Sequence, residues 1–422
     1  MQPSTICPSP MRIMNTASPG EFLTRCTGSL GLLLLLPCLG WSQPMEEILA
    51  ERGIPALPLT WEVKLLAHHS QDPPAKGEQK ALAEIRASIT RGLDFLAARQ
   101  ALVRDGSLPV PHGEQESPIG VTALGALAYM AGGSTPTRGP HSAELVRALE
   151  YLLTHQAPIT EAHPGWISAA EDRQSRAHGH GLATLALSQA HSLSPRSPLG
   201  KRIDQALSAA VRHIEVMQGP DGGWYYGPGR TAEQEGSVTV CLVQALRGAR
   251  NAGLRIKPKV IGHAIEYVKS LQDETGGFRY SKTHPQTSVA LTAACLATLH
   301  ATGVYEGQAI DRGYDSIWRE LEARKLVDPT QAARKSPAFP YYERLYLAQA
   351  LWQHPDPKHF RRWARFEVRK VLADQRSDGG WQDVREDGRG EKVTGRYGIT
   401  YATAVNCLFL SVPEGMLPIF RR

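Results

Sequence analysis

His178-Gly-His180 is the first place where this chain could do chemistry. Alternate residues of an extended segment face the same way. A loop there would offer both imidazoles to one zinc ion, with a third ligand from elsewhere in the chain. The competing reading is a histidine at a helix start that hydrogen-bonds neighbouring backbone. No further cofactor is expected. Among the carboxylates, Glu171 and Asp172 are adjacent rather than opposed across a cleft, so they do not read as the acid and base of glycoside hydrolysis. Asp383 and Asp387 come nearest to a clustered acid, but Arg385 and Arg389 between and beside them point to a solvated, charged loop. Glu343 and Arg344 read as an ion pair at a rim, and Glu235 stands six residues before Cys241. Around these lie aromatics on turns and helix starts: Trp166, Trp224, Tyr225, Tyr226, Phe278, Tyr280, Phe339, Tyr341, Tyr342, Tyr346, Tyr397 and Tyr401. Aromatics with a few polar groups suit an apolar or amphipathic ligand, or a carbohydrate. Packing of the rings on one another is the plainer account of any single one. The ligand-binding set expected from sequence is Trp166, His178, His180, Glu235, Tyr341, Tyr342, Glu343, Tyr397 and Tyr401.

The elements that position these residues follow from a repeat. Gln218-Gly-Pro-Asp-Gly-Gly-Trp224, Gln272-Asp-Glu-Thr-Gly-Gly-Phe278 and Gln375-Arg-Ser-Asp-Gly-Gly-Trp381 share one pattern, the first two glutamines 54 residues apart and the third 103 further on. Such a period marks a repeat architecture. Each unit reads as an amphipathic helix, a Gly-rich turn and a nearly uncharged helix. Apolar stripes such as Ile85, Ile89, Leu93, Leu96 and Ile203, Leu207, Ile214, Met217 bury one face only. The second helices, such as 121–131 and 238–246, carry few charges on any side and must be covered all round. Gln100 with Gly106, and Gln156 with Gly165, mark two weaker units; a fifth, over 310–351, lacks the Gly-Gly turn. Six hairpins with polar-faced helices outside and neutral ones inside predict an all-α fold, an α/α toroid. The glycine pairs Gly222–Gly223, Gly276–Gly277 and Gly379–Gly380 serve to stop the outer helix and turn the chain. The glutamine amides satisfy loose backbone groups nearby, and Trp224, Phe278 and Trp381 pack over the turns. These motif residues are structural.

The Gln-x-x-x-Gly-Gly-Trp/Phe units resemble the repeats of squalene cyclases, related terpenoid cyclases and protein prenyltransferase β subunits, over roughly Ala81 to Phe420. More narrowly, the chain is similar to single-toroid exported repeat proteins of the prenyltransferase or squalene-oxidase-like type. The resemblance implies a central cavity whose mouth is ringed by the turns into the inner helices. The chemistry of those relatives is not carried over. Neither Asp-x-Asp-Asp nor Asp-Cys-Thr-Ala-Glu occurs, so the acid that protonates an alkene or epoxide is missing. No Asp-x-Cys occurs to hold the prenyltransferase zinc. Gly113-Glu114-Gln115 lacks the cysteine that the thioester motif of complement-like domains needs. The expectation is a protein that binds an apolar or isoprenoid-like small molecule, or a protein partner, at the toroid mouth. A terpenoid-processing enzyme with a non-standard site and a carbohydrate-active α/α-barrel enzyme remain as alternatives.

The 422 residues, 42% hydrophobic and 21% charged with a net charge of +6, fit an ordinary globular protein. The basic cluster Lys358, Arg361, Arg362, Arg365, Arg369 and Lys370 lies on one helix without base-stacking residues, which reads as a solvated face and not as nucleic-acid binding. Residues 1–42 read as a signal peptide: Arg12 and Arg25 precede the apolar run Leu30–Leu39, too short to span a bilayer, and Gly40 and Ser42 suit cleavage after Ser42. Export, with no transmembrane span in the mature chain, is therefore expected. Residues 43–80 read as a linker and 81–422 as one toroid domain. Cys241, Cys295 and Cys407 sit in apolar helical segments and read as small buried hydrophobes.

Overall fold

The computed structural model describes residues 76–112, 116–173, 176–324, 337–386, 392–415 and 417. The proposed leader, Gly113-Glu114-Gln115, Asp387 and the turn region 325–336 of the fifth unit lie outside them. Twelve α-helices pair into six hairpins among the described residues: α1 (Lys76–Gln100) with α2 (Pro118–Ala131), α3 (Ser142–Thr154) with α4 (Arg176–Leu193), α5 (Pro198–Met217) with α6 (Gly236–Asn251), α7 (Pro258–Ser270) with α8 (Val289–Ala301), α9 (Gln308–Ala323) with α10 (Pro340–Gln353), and α11 (Lys358–Ala373) with α12 (Gly398–Ser411). The first helix starts at Lys76, inside the stretch read from sequence as a linker.

The even helices form a closed ring: each of α2, α4, α6, α8, α10 and α12 packs on the next, and α12 returns to α2. Their sequences explain their place. Every residue of α2 is buried, and α8 buries Val289 through His300 without a break. The odd helices are one-sided: α5 buries Ile203, Leu207, Val211 and Ile214 and leaves Lys201 and Arg202 in water. Burying one such aliphatic side chain contributes roughly 1.5–3 kcal/mol, so the stripe fixes which way each outer helix faces.

Five turns are built alike, and the joint is more specific than the sequence suggests. The glutamine Nε2 donates twice, to a carbonyl of its own turn and to one in the next outer helix: Gln100 to Gly106 and Glu144, Gln156 to Gly165 and Ala206, Gln218 to Gly222 and Val260, Gln272 to Gly276 and Ala309, Gln375 to Gly379 and Ser88. The turn glycine abuts that outer helix at the carbonyl three residues further on: Arg147, Ala209, His263, Arg312 and Arg91. Carbonyls three apart lie on one helix face, so glutamine and glycine grip the same side of the neighbouring hairpin. Two residues after each of these glycines a buried apolar residue packs over the turn: Leu108, Ile167, Trp224, Phe278 and Trp381. Trp166 is therefore not the motif aromatic of its unit; it stands where the other turns have Ser107 or a second glycine.

Two short antiparallel hairpins depart from the all-helical expectation. Strand β1 (Arg279–Ser281) pairs with β2 (His284–Thr287), and β3 (Val384–Glu386) with β4 (Lys392–Thr394). Both follow a Gly-Gly-aromatic turn, at the end of the ring where the inner helices begin. Cys241, Cys295 and Cys407 are free and buried, and Cys407 Sγ stands 3.9 Å from the Ile89 carbonyl.

Candidate functional site at the toroid mouth

Every residue expected at the mouth lies on a turn into an inner helix or in such a helix's first turns, but they divide by task. In four units the N–H two residues after the turn glycine donates to an inner-helix threonine: Leu108 to Thr122, Trp224 to Thr239, Phe278 to Thr292 and Trp381 to Thr403, at 2.9–3.1 Å. In the second unit His180 stands in for the threonine, its Nδ1 accepting from the Ile167 N–H at 3.1 Å. The ring is fully buried against Trp166, centroids 4.6 Å apart, with Nε2 turned toward the Ala210 carbonyl without closing a regular hydrogen bond. Burial, helped by His213, pushes its pKa down to about 3. His178 is two residues earlier on α4. The extended loop expected from His178-Gly-His180 is a helix, in which residues two apart point to nearly opposite sides, so the imidazoles do not converge. Among the described residues no three His, Cys, Asp or Glu side chains gather closely enough to hold a metal ion.

The acidic candidates are rearranged as well. Glu343 and Arg344 are not each other's partners: consecutive helical side chains diverge by about 100°. Glu343 is buried and chelated by Arg324 Nη1 at 2.9 and 3.2 Å, while Arg344 reaches Glu367 at 2.6 Å and Asn406 at 2.8 Å. Both pairs lock inner to outer helices. Asp383 is not solvated; only 4% exposed, its Oδ2 accepts the Tyr397 and Gly398 N–H groups at 2.9 and 2.7 Å and so caps α12 from 15 residues away. A carboxylate suits a helix N-terminus, where free N–H groups and the helix dipole favour negative charge. Glu171 is exposed while Asp172 is buried, its Oδ2 accepting the Ala169 N–H at 3.0 Å, and burial lifts its pKa to about 6.

Glu235 is 0% exposed and caps α6, accepting from Ser237 N at 2.7 Å and Val238 N at 2.5 Å. Those bonds favour the ionised form, yet burial outweighs them and lifts its pKa to about 7. Beside it stand Tyr226 and Tyr280, whose hydroxyls hydrogen-bond to each other across two units. Sequence reasoning placed both tyrosines among the mouth aromatics but left them out of the ligand-binding set and did not pair them, although the signal was available: each stands eight residues after its repeat glutamine, Gln218 or Gln272. The Tyr342 and Tyr346 rings meet at 4.6 Å, tilted by 52°, and among the described residues the buried Tyr342 hydroxyl has no hydrogen-bond partner.

An open cleft lies between the fifth and sixth hairpins, lined by Phe339, Pro340, Tyr341, Asp383, Tyr397 and Tyr401, with Arg396 at its edge. Tyr341 is fixed there by donating to the Gln382 carbonyl and by an edge-on contact with Tyr401 at 5.8 Å; Tyr401 in turn meets Tyr397 at 5.0 Å. Phe339 is 49% exposed, an unusual position for phenylalanine that leaves an apolar face toward solvent. Deeper in the ring, Gln244 on α6 donates to Gln349 on α10 at 2.9 Å and accepts from Tyr346 at 3.3 Å. Since α8 separates α6 from α10 in the ring, these side chains bridge the lumen.

The solved structures that this architecture resembles are closed rings of helices. Cellobiose 2-epimerase from Spirochaeta thermophila superposes with a TM-score of 0.57 at 14% identity, over 81% of this chain and 98% of that one. D-mannose isomerase gives 0.53 at 14% identity, over 80% and 99%. A single-residue variant of the type II terpene cyclase MstE from Scytonema, in complex with geranylgeranyl dihydroxybenzoate as substrate, gives 0.50 at 16%, over 80% and 100%. The fold is an α/α toroid. At these identities the likeness concerns the fold, which hosts terpene cyclisation in one neighbour and sugar chemistry in others. No protein-family model and no curated protein matches the chain.

Proposed function

We propose that this chain is an exported protein that binds an amphipathic, isoprenoid-like ligand in the mouth cleft without cyclising it. The carrying observation is the cleft itself: Phe339, Tyr341, Tyr397 and Tyr401 offer aromatic faces, and Arg396 a cationic edge. Such a surface suits an apolar chain that ends in a polar or acidic head. The substrate of MstE, geranylgeranyl dihydroxybenzoate, has that form. Two features favour binding over cyclisation: the sequence lacks the clustered aspartates of cyclases, and Gln244, Gln349 and Tyr346 bridge the lumen where a folded polyene would have to fit. The leader-like residues 1–42 support export.

The test is organic extraction of the purified chain with mass spectrometry of what co-purifies, together with fluorescence titration by geranylgeraniol and by geranylgeranyl-substituted benzoate. Saturable quenching that weakens at least about tenfold in Tyr341→Ala/Tyr401→Ala is expected, since two buried aromatic contacts are lost. No co-purifying lipid and no saturable quenching would overturn the proposal. Saturation by an oligosaccharide instead would move the assignment to the carbohydrate reading.

An enzymatic reading has one observation of its own, the Glu235 carboxyl, whose pKa burial lifts to about 7 and which stands beside the Tyr226–Tyr280 pair. Turnover of a prenyl substrate that disappears in Glu235→Gln while the variant keeps its fold would establish it.

A further inference from the structure

We infer that the exposed side of α11 is a docking face for an anionic lipid bilayer. Lys358, Arg362, Arg365 and Arg369 fall at i, i+4, i+7 and i+11, which places them in one stripe along the helix, with Lys370 beside its end. All five are exposed. At 1.5 Å of rise per residue the stripe is about 16 Å long.

Acids on the protein neutralise it only in part, Glu322 at Arg362, Asp356 near Lys358 and Glu367 near Lys370. The one acid of the helix, Glu367, is turned inward to Arg344. Arg362 is held by Glu322 at 2.9 Å and lies over the Trp318 ring, and the Lys358 backbone N–H is bound by Asp356. Arg365, Arg369 and Lys370 form no ion pair with a described residue; Arg365 rests on the Phe366 ring, 4.6 Å from its centroid. The opposite side of the same helix buries Phe360, Trp363, Ala364, Val368 and Val371, so the cations project from a fixed rod and not from a loop.

A straight row of cations on a rigid helix, in which Arg365, Arg369 and Lys370 have no ion-pair partner among the described residues, matches a flat anionic surface. Each Lys or Arg brought to such a surface strengthens adsorption by about fivefold, and the effect fades with salt. A protein partner would call for an apolar centre, and apart from half-buried Phe366 the aromatics of α11 are turned inward or held beside the core. Single-stranded nucleic acid would call for outward stacking rings, which this face lacks for the same reason. Because the outer helices end at the mouth, the stripe runs toward the cleft edge at Arg396, which is also exposed. The inference does not depend on what the mouth binds.

The experiment is co-sedimentation of the whole chain with vesicles of phosphatidylcholine alone or with about 30% phosphatidylglycerol, at about 50 mM and about 500 mM salt. The comparison is the variant Arg365→Glu/Arg369→Glu/Lys370→Glu, with the milder Arg365→Gln/Arg369→Gln should the first lose its helical circular dichroism. The apolar run Leu30–Leu39 is common to all these chains, so only the difference between them reports on α11. Adsorption to the anionic vesicles that is lost at high salt and at least about tenfold weaker in the triple variant is expected. Equal adsorption to both vesicle types, no adsorption at low salt, or an unchanged variant would overturn the inference. Binding to duplex DNA or heparin without binding to vesicles would do the same.

Discussion

The Gln375 side chain holds the Ser88 residue across the point where the ring closes. Its Nε2 donates to the Ser88 carbonyl at 2.9 Å, and its Oε1 accepts from the Ser88 hydroxyl at 2.8 Å. Nε2 also serves the Gly379 carbonyl at 2.8 Å, and Arg91 Nη2 reaches Oε1 at 2.6 Å. Among the described residues, the Gln272 side chain joins interior units through its Nε2 alone, to Gly276 and Ala309. Gln375→Ala is therefore expected to cost about 1–3 kcal/mol, and more than Gln272→Ala, because it strands more polar groups at a half-buried joint. Urea denaturation of both variants checks this; equal losses would mean that the closing joint is no stronger than the others.

Gly379 meets the same face of that outer helix one turn further on, at Arg91. Its φ is +89° and a Cβ would stand 2.4 Å from the Arg91 carbonyl oxygen, whereas Gly253, at φ +98°, has nothing within 4 Å. Gly253→Ala should lose about 1 kcal/mol from backbone strain alone, and Gly379→Ala at least twice that, since the helix must also move away. Thermal unfolding of the pair separates backbone strain from collision.

His180 should make the fold acid-sensitive. Its ordinary pKa of 6.5 is depressed to about 3 in the folded chain. Between those values the unfolded chain takes up a proton that the folded chain refuses, so stability falls as pH drops below about 6.5, by up to about 1.4 kcal/mol per pH unit. His180→Thr keeps an acceptor for the Ile167 N–H but leaves space under Trp166. It should lose about 1–3 kcal/mol at neutral pH and show a flatter acid limb. Denaturation curves between pH 7.5 and about 4 decide this, and an acid limb as steep as that of the parent would refute the assignment.

Glu235 acts with the opposite sign. Its folded pKa is raised from 4.5 to about 7, so over that window the folded chain keeps a proton that the unfolded chain releases. Its contribution to stability is therefore greatest below about 4.5 and declines as pH rises to 7. Glu235→Gln retains a cap oxygen and should remove this decline. The same pH series run on that variant measures it.

Two hydroxyls in the first turn of α10 offer a paired comparison. Tyr341 donates to the Gln382 carbonyl, whereas the buried Tyr342 hydroxyl has no partner among the described residues. Tyr341→Phe should cost about 0.5–1.5 kcal/mol, and Tyr342→Phe should be neutral or slightly stabilising, because it removes an unsatisfied group. A lowered melting temperature for Tyr341→Phe beside an unchanged or raised one for Tyr342→Phe is the expected readout.

The sequence by itself determined the hairpins and which helix of each lies inside, because amphipathic period, charge-free runs and Gly-Gly turns are local properties. It also marked the glutamine joints, down to the two weak ones at Gln100 and Gln156. The tertiary structure alone decided which side chains share a site. Glu343 and Arg344 are neighbours in sequence but separate by helical rotation, and each finds its partner on another helix. His178 and His180 diverge once α4 forms, and His180 enters a slot that four other units fill with threonine. Asp383 sits in a charged stretch and is nevertheless buried, because the N–H groups it satisfies belong to Tyr397 and Gly398. Such pairings depend on where distant backbone groups come to rest, and spacing along the chain does not encode that.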